Sequence, residues 1–183
     1  MRFPRLIPAF MLGLALSLPA AAQPSQQQII MGWVENVFIE AIDAKLKAKL
    51  DTGATTSSLR ADVVSVIRPP YKDGEKKPKR RVVFQVIDAD GKTSTLERQL
   101  VRYVRIKDKY GGLQRRPVVS MEFCVAGRLV DSEVNLAPRE SFVYPVLIGR
   151  NMLRDGGMIV DPSKTFTAHA RCPQSKDQPR EQE

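Results

Sequence analysis

The amino-acid sequence predicts an all-β fold, closed or nearly closed into a barrel. Apolar residues recur in short runs, and several runs alternate with the period of two that a half-buried strand requires. Turn dipeptides such as Asp90-Gly91 and Ala126-Gly127 separate these runs at close spacing. Many short strands joined by glycine-rich turns are typical of barrels and sandwiches. There is no internal repeat and no long amphipathic helix to suggest another class.

The first strands are expected at residues 33–39 and 46–50, the second of which alternates strictly. After them, Ser57 or Ser58 is placed to cap a short helical turn at residues 61–64. This part of the chain therefore predicts two strands followed by a turn of helix.

Residues 68–81 are expected to form a loop, because they contain Pro69-Pro70, Asp73-Gly74 and six basic residues between Lys72 and Arg81. Strands then follow in quick succession, at residues 82–87, 93–96, 101–107, 117–125, 129–136, 144–148, 158–160 and 165–168. One helical turn is expected at residues 151–153, ended by Gly156-Gly157.

The first 22 residues have the features of a cleavable export signal. Arg2 and Arg5 provide a basic start, residues 7–18 are apolar, and Ala22 ends a run of small residues suited to a signal peptidase. The apolar stretch is about 12 residues, shorter than the roughly 20 that span a bilayer. We therefore expect a periplasmic or secreted protein, cut after Ala22 and without a stable membrane span. An uncleaved N-terminal anchor is the alternative.

Polar sequence marks the limits of the mature domain. Residues 23–30 are expected to be a flexible lead-in, residues 31–170 a single domain, and residues 171–183 a polar C-terminal tail. A length of 183 residues suits one domain with tails better than two domains.

Composition excludes several chemistries. The chain carries 29 Lys and Arg residues against 20 Asp and Glu, a net charge of +9, or 9 − 2 = +7 without the two signal arginines. It has two cysteines and one histidine, His169, which disfavours a zinc finger and catalysis by a Cys–His pair. A hydrophobic fraction of 43% fits a globular protein.

Export would place Cys124 and Cys172 in an oxidising compartment. A bond between them would close a loop of 172 − 124 = 48 residues. The alternative is one buried and one exposed thiol. Both stay open here, because the sequence does not give the distance between the two residues.

The most informative stretch is Leu50-Asp51-Thr52-Gly53-Ala54, where an aspartate ends an alternating strand and small residues follow. Glycine permits a tight turn and a close backbone approach. Backbone N–H groups and the threonine hydroxyl could then hold the carboxylate rigidly. By itself this short string also fits an ordinary turn that ends a strand.

A second stretch, residues 144–153, places two bulky apolar residues before Gly149 and opens a helical turn after it. With the Asp-Thr-Gly-Ala turn, it resembles retropepsin-type aspartic peptidases. More narrowly, it is similar to the bacterial family historically labelled ATP-dependent zinc protease. The motifs that carry this resemblance also include Gly32-Trp33, residues 47–58, Arg116-Pro117-Val118-Val119 and residues 160–163.

The resemblance implies a retropepsin-like closed barrel with one short helix near the C-terminus, and a peptidase without a cofactor or metal. Such enzymes use two carboxylates that share one proton and one water. Since this chain has one Asp-Thr-Gly turn, catalytic Asp51 would meet its copy across the axis of a homodimer. The active-site loop would be Thr52, Gly53 and Ala54, supported by Leu147, Ile148, Gly149, Arg150 and Asn151.

The historical label does not fit the residues. There is no His-Glu-x-x-His motif, and one histidine with two distant cysteines cannot form an ordinary zinc site. There is also no Gly-x-x-x-x-Gly-Lys-Ser/Thr loop for a nucleotide. We therefore expect neither zinc nor ATP to take part.

In retropepsins a glycine-rich hairpin closes over the peptide. The resemblance makes Tyr110, Gly111, Gly112 and Leu113 the candidate flap, with the hairpin at residues 88–92 as the runner-up. An ordinary surface turn is the alternative for each.

Two features depart from the viral members. Thr55 and Thr56 stand where viral enzymes often carry an acidic partner for the arginine, so Arg150 needs another partner. The basic loop from Lys72 to Arg81 has no counterpart in the viral members, and it is either a solvated loop or a surface that steers acidic partners. Nucleic acid is not expected as a partner, because the loop lacks interleaved aromatic residues and the protein is exported.

The sequence is compatible with two functions. The first is a periplasmic aspartic endopeptidase that cleaves peptides or proteins as a homodimer. The second is a non-catalytic module of the cell envelope that keeps the fold and binds an extended chain or regulates a partner.

Overall fold

The computed structural model describes residues 27–107, 111–138, 143–168 and 171–172. Within them the chain is mostly strand, with one 3₁₀ turn (Glu40–Ile42) and one helix, α1 (Arg150–Asp155). The strands are β1 (Ile29–Ile39), β2 (Ala44–Leu50), β3 (Ser57–Arg60), β4 (Asp62–Ile67), β5 (Arg81–Ile87), β6 (Thr93–Lys107), β7 (Leu113–Val125), β8 (Arg128–Ala137), β9 (Val146–Ile148) and β10 (Met158–Thr165). The predicted all-β class with one short helix near the C-terminus is confirmed.

Six strands close on themselves. They pair in the order β1, β2, β9, β3, β8 and β7, and β7 returns to β1 through the pairs Val37–Val125 and Phe38–Cys124. β10 extends the sheet beside β1, and β6, β5 and β4 extend it beyond β7. The predicted closure is therefore present as a ring of strands with two flanking extensions.

The alternation in β2 explains how the ring acquires its core. Leu46, Ala48 and Leu50 are buried, whereas Lys45 and Lys47 are exposed. Successive side chains of a strand point to opposite faces, so one face of β2 is apolar and the other meets solvent. The largest buried apolar side chains around it are Phe84, Phe123, Met31, Ile39, Leu59, Leu136, Ile148 and Met152.

The helical turn expected at residues 61–64 is wrong. β3 ends at Arg60, just before this segment, and β4 begins at Asp62, so the chain is extended there and pairs with β5. Ser57 and Leu59 are buried because β3 pairs with β8 on one side and β9 on the other. The β-branched residues of β4 also favour a strand over a helix.

Two other boundaries differ from the expectation. Residues 93–107 form one strand, because the first half of β6 pairs with β5 and the second half with β7, with a register shift near Leu100. β10 runs through Pro162, where the sequence suggested a break. Proline is tolerated there because β10 is an edge strand. The loop at residues 68–81 is confirmed except that Arg81 already belongs to β5.

The predicted hairpin turns are present. Gly91 has φ of +82°, and Asp88 N–H donates to the Lys92 carbonyl at 3.1 Å. Between β7 and β8, Ala126 and Gly127 have φ of +54° and +77°, the paired left-handed conformations of a two-residue hairpin turn.

A buried carboxylate that the sequence did not single out holds the C-terminal segment onto β1. Glu35 is fully buried, and its Oε1 accepts hydrogen bonds from the backbone N–H groups of Gly32 (2.7 Å) and Thr167 (2.9 Å). The Thr167 hydroxyl and the Ala168 N–H also donate to this carboxylate. A Cβ at position 32 would lie 2.5 Å from the Lys164 carbonyl oxygen, so glycine is needed for this close packing.

Cys124 and Cys172 are joined by a disulfide, with their Cα atoms 5.6 Å apart. Both residues are buried and pack with Phe38. The bond links residues 48 positions apart and so closes a loop of that length. For such a loop, chain-entropy models predict a stabilisation of about 4 kcal/mol. It ties the end of the described chain to the ring.

Several sequence expectations concern residues outside the described ranges. These are the signal at residues 1–22, most of the lead-in at residues 23–30, the tail beyond Cys172, Tyr110 and His169. In the part of the chain that is described, no helix has the length and apolar character needed to cross a bilayer.

Candidate active site

Asp51 follows the last residue of β2, at the point where β2 pairs with β9. Its N–H donates to the Ile148 carbonyl at 2.8 Å, which fixes the start of the loop. Its Oδ1 accepts hydrogen bonds from the backbone N–H groups of Gly53 (3.0 Å) and Ala54 (3.2 Å). The side chain remains 28% exposed. The turn therefore holds the carboxylate in one orientation and keeps it accessible to a reactant.

The other carboxylate oxygen, Oδ2, lies 3.5 Å from the Lys49 ammonium. Lys49 is 43% exposed, so this ion pair is in contact with solvent and contributes little to stability. The pair nevertheless places a positive charge next to the one oxygen that the turn leaves free.

The segment from Gly149 to Asn151 lies directly against the Asp51 loop. Arg150 N–H donates to the Ala54 carbonyl at 2.8 Å, and Asn151 N–H donates to the Thr55 carbonyl at 3.3 Å. A Cβ on Gly149 would lie 2.8 Å from the Thr56 carbonyl carbon and 3.0 Å from the Ala54 carbonyl oxygen. The φ of Gly149 is −93°, which any residue adopts, so glycine is required for space alone.

Arg150 has the partner that the sequence could not supply. Its guanidinium donates to the carbonyl oxygens of Thr52 (3.1 Å) and Gly53 (2.9 Å) and to the Thr55 hydroxyl (2.9 Å). Arginine suits this role because its planar fork presents several donors in a fixed arrangement. The backbone of the loop thus replaces the acidic residue of the viral enzymes.

Asn151 connects the loop to the ring through its side-chain amide. Its Oδ1 accepts from the Ser57 N–H (2.9 Å) and the Ser57 hydroxyl (2.8 Å). Its Nδ2 donates to the Ser132 hydroxyl (2.9 Å) and the Glu133 carbonyl (2.7 Å). The Ser57 hydroxyl oxygen in turn accepts a hydrogen bond from the Gly149 N–H at 3.0 Å. Gly149 and Asn151 are therefore joined through Ser57 in one hydrogen-bond network.

The structure brings the predicted loop and its predicted support together. Ile148 is buried and pairs with Leu50, and Leu147 pairs with both Lys49 and Ser58. Ser57 also contributes to the site, although the sequence predicted Ser57 or Ser58 as a helix cap. Its partner Asn151 lies 94 residues away, and no local pattern reveals such a pairing.

The two candidate flaps differ in position. The β6–β7 hairpin is paired out to Lys107 and Leu113, and Gly111 has φ of +84°, while Tyr110 lies outside the described residues. The runner-up is tied by the Ala89 N–H to the Lys45 carbonyl, near the start of β2. Lys45 and Asp51 are six residue steps apart along the extended chain, which is about 20 Å. The β6–β7 hairpin thus stays the candidate, and its role stays a prediction.

Strand β6 also approaches the Asp51 loop. A cavity of about 340 Å³ lies beside the loop and is bordered by Thr55, Thr56, Arg102 and Arg150. Arg102 is held there by Glu133, with 2.8 Å between Nε and Oε2. The β6–β7 hairpin therefore begins near the Asp51 loop.

Among the described residues there is no group of three or more His, Cys, Asp and Glu side chains arranged to hold a metal ion. Both cysteine sulfurs are used in the disulfide and cannot serve as thiolate ligands.

Comparisons with known proteins identify several relatives of this chain. The chain is similar to a crystal structure of a protein of unknown function from Legionella pneumophila, with 33% identity and a TM-score of 0.63, over 78% of this chain and all of that one. It is also 29% and 30% identical to proteins named probable alpha-L-glutamate ligase from Shewanella halifaxensis and Shewanella pealeana. Those matches cover 78% of this chain and 30% of each relative, so the chain spans less than a third of their length.

A family model described as RimB-like, retropepsin-like aspartic endopeptidase RimB, matches residues 30–171. The match includes the Asp51 loop, its support at Gly149 to Asn151, the β6–β7 hairpin and Cys124. The chain belongs to the RimB-like family of retropepsin-like aspartic endopeptidases.

Proposed function

We propose that this chain is an exported aspartic endopeptidase whose active site forms between two copies. The observation that carries the proposal is the Asp51 carboxylate, which is accessible and is held by the N–H groups of Gly53 and Ala54. The loop around it is fastened by Gly149, Arg150 and Asn151, which is far more support than an ordinary turn needs.

The chemistry requires a second carboxylate. Two closely spaced carboxyl groups cannot both ionise, so one stays protonated and donates to the scissile carbonyl while the other accepts a proton from the attacking water. One chain supplies a single Asp-Thr-Gly turn. A twofold homodimer would bring Asp51 against its copy, since the same surface patch faces itself across such an axis.

Lys49 supports the view that the isolated chain is inactive. Its ammonium lies 3.5 Å from Asp51 Oδ2, the oxygen that accepts neither N–H group of the turn. In a dimer the second carboxyl group would approach from that open side. If the chain stays monomeric, the Lys49–Asp51 ion pair persists and no dyad forms. That outcome would favour the alternative function, a non-catalytic peptide-binding or regulatory module.

Export is part of the proposal. It is supported by the basic start, apolar stretch and small residues of the first 22 positions. It is also supported by the Cys124–Cys172 disulfide, because such bonds persist mainly in oxidising compartments.

Incubating the purified exported protein with an unbiased peptide library tests the activity. We expect cleavage of internal peptide bonds that continues unchanged in excess metal chelator, because a carboxylate dyad needs no metal. Mass spectrometry of the products would give the cleaved bonds. Loss of cleavage in chelator, with recovery on adding zinc, would contradict the proposed mechanism, and no cleavage at all would favour the binding module.

A further inference from the structure

Strand β4 exposes apolar side chains along its whole length. All 6 of its residues are exposed, and the apolar ones are Val63, Val64, Val66 and Ile67. Val64 is 60% exposed and Ile67 is 44% exposed. β4 ends the strand order and, in the part of the chain that the structure describes, pairs with β5 alone. Contiguous exposed apolar side chains of this kind mark a surface that contacts another molecule.

The segment that follows β4 concentrates the positive charge of the chain. This basic segment, residues 68–81, contains seven Lys and Arg residues against two Asp and Glu residues, a net charge of 7 − 2 = +5. The chain after Ala22 carries +7, so all its other residues together carry 7 − 5 = +2. Among the described residues, Arg81 alone of these cations forms an ion pair, with Glu97. The others are therefore available to an external anion.

The exposed strand and the basic segment form one continuous surface. β4 ends at Ile67, which pairs with Arg81 at the far end of the basic segment, so the two ends of the segment lie together. Tyr71 is exposed within the segment, and the Lys77 ammonium lies 5.9 Å from the centroid of its ring. The cations are therefore held beside the Ile67 end of the apolar strand.

This combination suits an anionic membrane better than a further strand. β4 has a register shift between Val63 and Ser65, and Pro69 and Pro70 follow it. Irregularities and prolines hinder an edge strand from pairing with another strand. A bilayer requires no register. It presents anionic phosphate groups to the cations and an apolar boundary to the neighbouring valine and isoleucine side chains.

The surface fits the headgroup level of a bilayer and not its hydrocarbon centre. β4 is an edge strand, so its outer backbone N–H and C=O groups need partners, which water and lipid phosphates provide at that level. Tyrosine is enriched at the same level, and Tyr71 is exposed there next to β4. Lysine side chains can pack their methylene groups on apolar surface while their ammonium groups reach the phosphates.

We propose that β4 and the basic segment form a peripheral membrane-binding surface whose partner is a bilayer containing anionic phospholipid. The inference goes beyond the proposed peptidase function and does not depend on it, since membrane contact requires neither the Asp51 carboxylate nor a dimer. Export, as proposed above, would bring the chain next to a membrane.

Sedimentation with lipid vesicles tests the cations. The purified exported protein is mixed with phosphatidylcholine vesicles, with or without about one third phosphatidylglycerol, and the bound fraction is measured at low and high salt. We expect binding that requires phosphatidylglycerol and weakens with salt, because salt screens attraction between exposed charges. Replacing Lys76 and Lys77 by glutamine should weaken binding about 25-fold, since each lysine near an anionic surface contributes about 5-fold.

The matched control for the cations replaces Lys45 and Lys92 by glutamine. Both lysines are exposed and lie by the hairpin at residues 88–92, at the other end of β5 from the basic segment. The control removes the same charge from the chain. It should weaken binding less than about 2-fold, because the two lysines are farther from the lipid than the screening length.

The apolar part has its own variant and control. Val64→Thr combined with Ile67→Thr keeps the β-branched shape that favours a strand, and it should weaken binding to the anionic vesicles about 10-fold. Ile30→Thr combined with Ile159→Thr is the control, because these side chains are 62% and 44% exposed near the opposite end of the strand order. It should bind as the wild type does. Circular dichroism checks that each variant is folded.

The outcomes separate this surface from general charge attraction. The inference is overturned if both glutamine pairs weaken binding equally, if the threonine pair in β4 has no effect, or if the wild type does not bind anionic vesicles at low salt. Binding of soluble poly-aspartate through Lys76 and Lys77, without binding to vesicles, would also overturn it and assign the segment to an acidic protein partner. Vesicle binding by a chain that cleaves no peptide would support the surface and count against the peptidase alone.

Discussion

Replacing Asp51 by asparagine is expected to slow peptide cleavage at least about 1,000-fold while leaving the fold intact. Asparagine keeps an oxygen that can accept the Gly53 and Ala54 N–H bonds, so the turn is retained. It cannot exchange a proton with water or donate from a carboxyl group. In a symmetric dimer one substitution removes both carboxylates at once, and kcat/KM on a cleaved library peptide measures the loss.

Asp88 offers a matched control for this substitution. Its Oδ1 also accepts two backbone N–H groups, those of Asp90 and Lys92, each at 2.9 Å. Asp88→Asn therefore removes the same charge from a similar turn, away from the Asp51 loop, and the variant should cleave at the wild-type rate. Asp51→Asn activity equal to that of Asp88→Asn would show that Asp51 has no catalytic role.

Asn151→Asp is expected to lower the free energy of unfolding by about 2–4 kcal/mol. The substitution preserves size and the acceptor that faces Ser57, but it places a carboxylate oxygen where Nδ2 now donates to the Glu133 carbonyl at 2.7 Å. A repulsive contact replaces a hydrogen bond in a partly buried site. Urea unfolding followed by circular dichroism gives the change.

The control for that measurement is Asn36→Asp. Asn36 is half-buried on β1, and none of its side-chain atoms takes part in a hydrogen bond among the described residues. The same change in chemistry there should alter stability by less than about 0.5 kcal/mol. If both variants unfolded at the same urea concentration, the Asn151 network would not support the loop in the way described here.

The strand pattern was readable from the sequence wherever burial alternates. Leu46, Ala48 and Leu50 mark the inward face of β2, and the glycine turns mark both hairpins, so class and closure could be predicted. The error at residues 61–64 has a physical cause. Serine before an apolar run is typical of a helix cap, but the buried pairing of β3 with β8 and β9 outweighs that local preference.

The residues of the site that belong to a short sequence motif could be predicted. The contacts that they make with residues far away in the sequence could not. Asp51 and Gly149 are both in short recognisable stretches, and the structure places them in one loop network. The partners of Arg150 are backbone carbonyls, which leave no trace in the sequence.

Mixing subunits gives the most direct test of a shared active site. Wild-type protein is combined with an equal amount of Asp51→Asn protein under conditions that allow subunits to exchange. The cleavage rate per total protein is then compared with that of the wild-type protein alone. If each site needs Asp51 from both copies, mixed dimers are inactive, and activity per total protein falls to about one quarter of the wild-type value. A fall to about one half, in proportion to the wild-type chains present, would mean that each copy acts alone and would contradict the dyad.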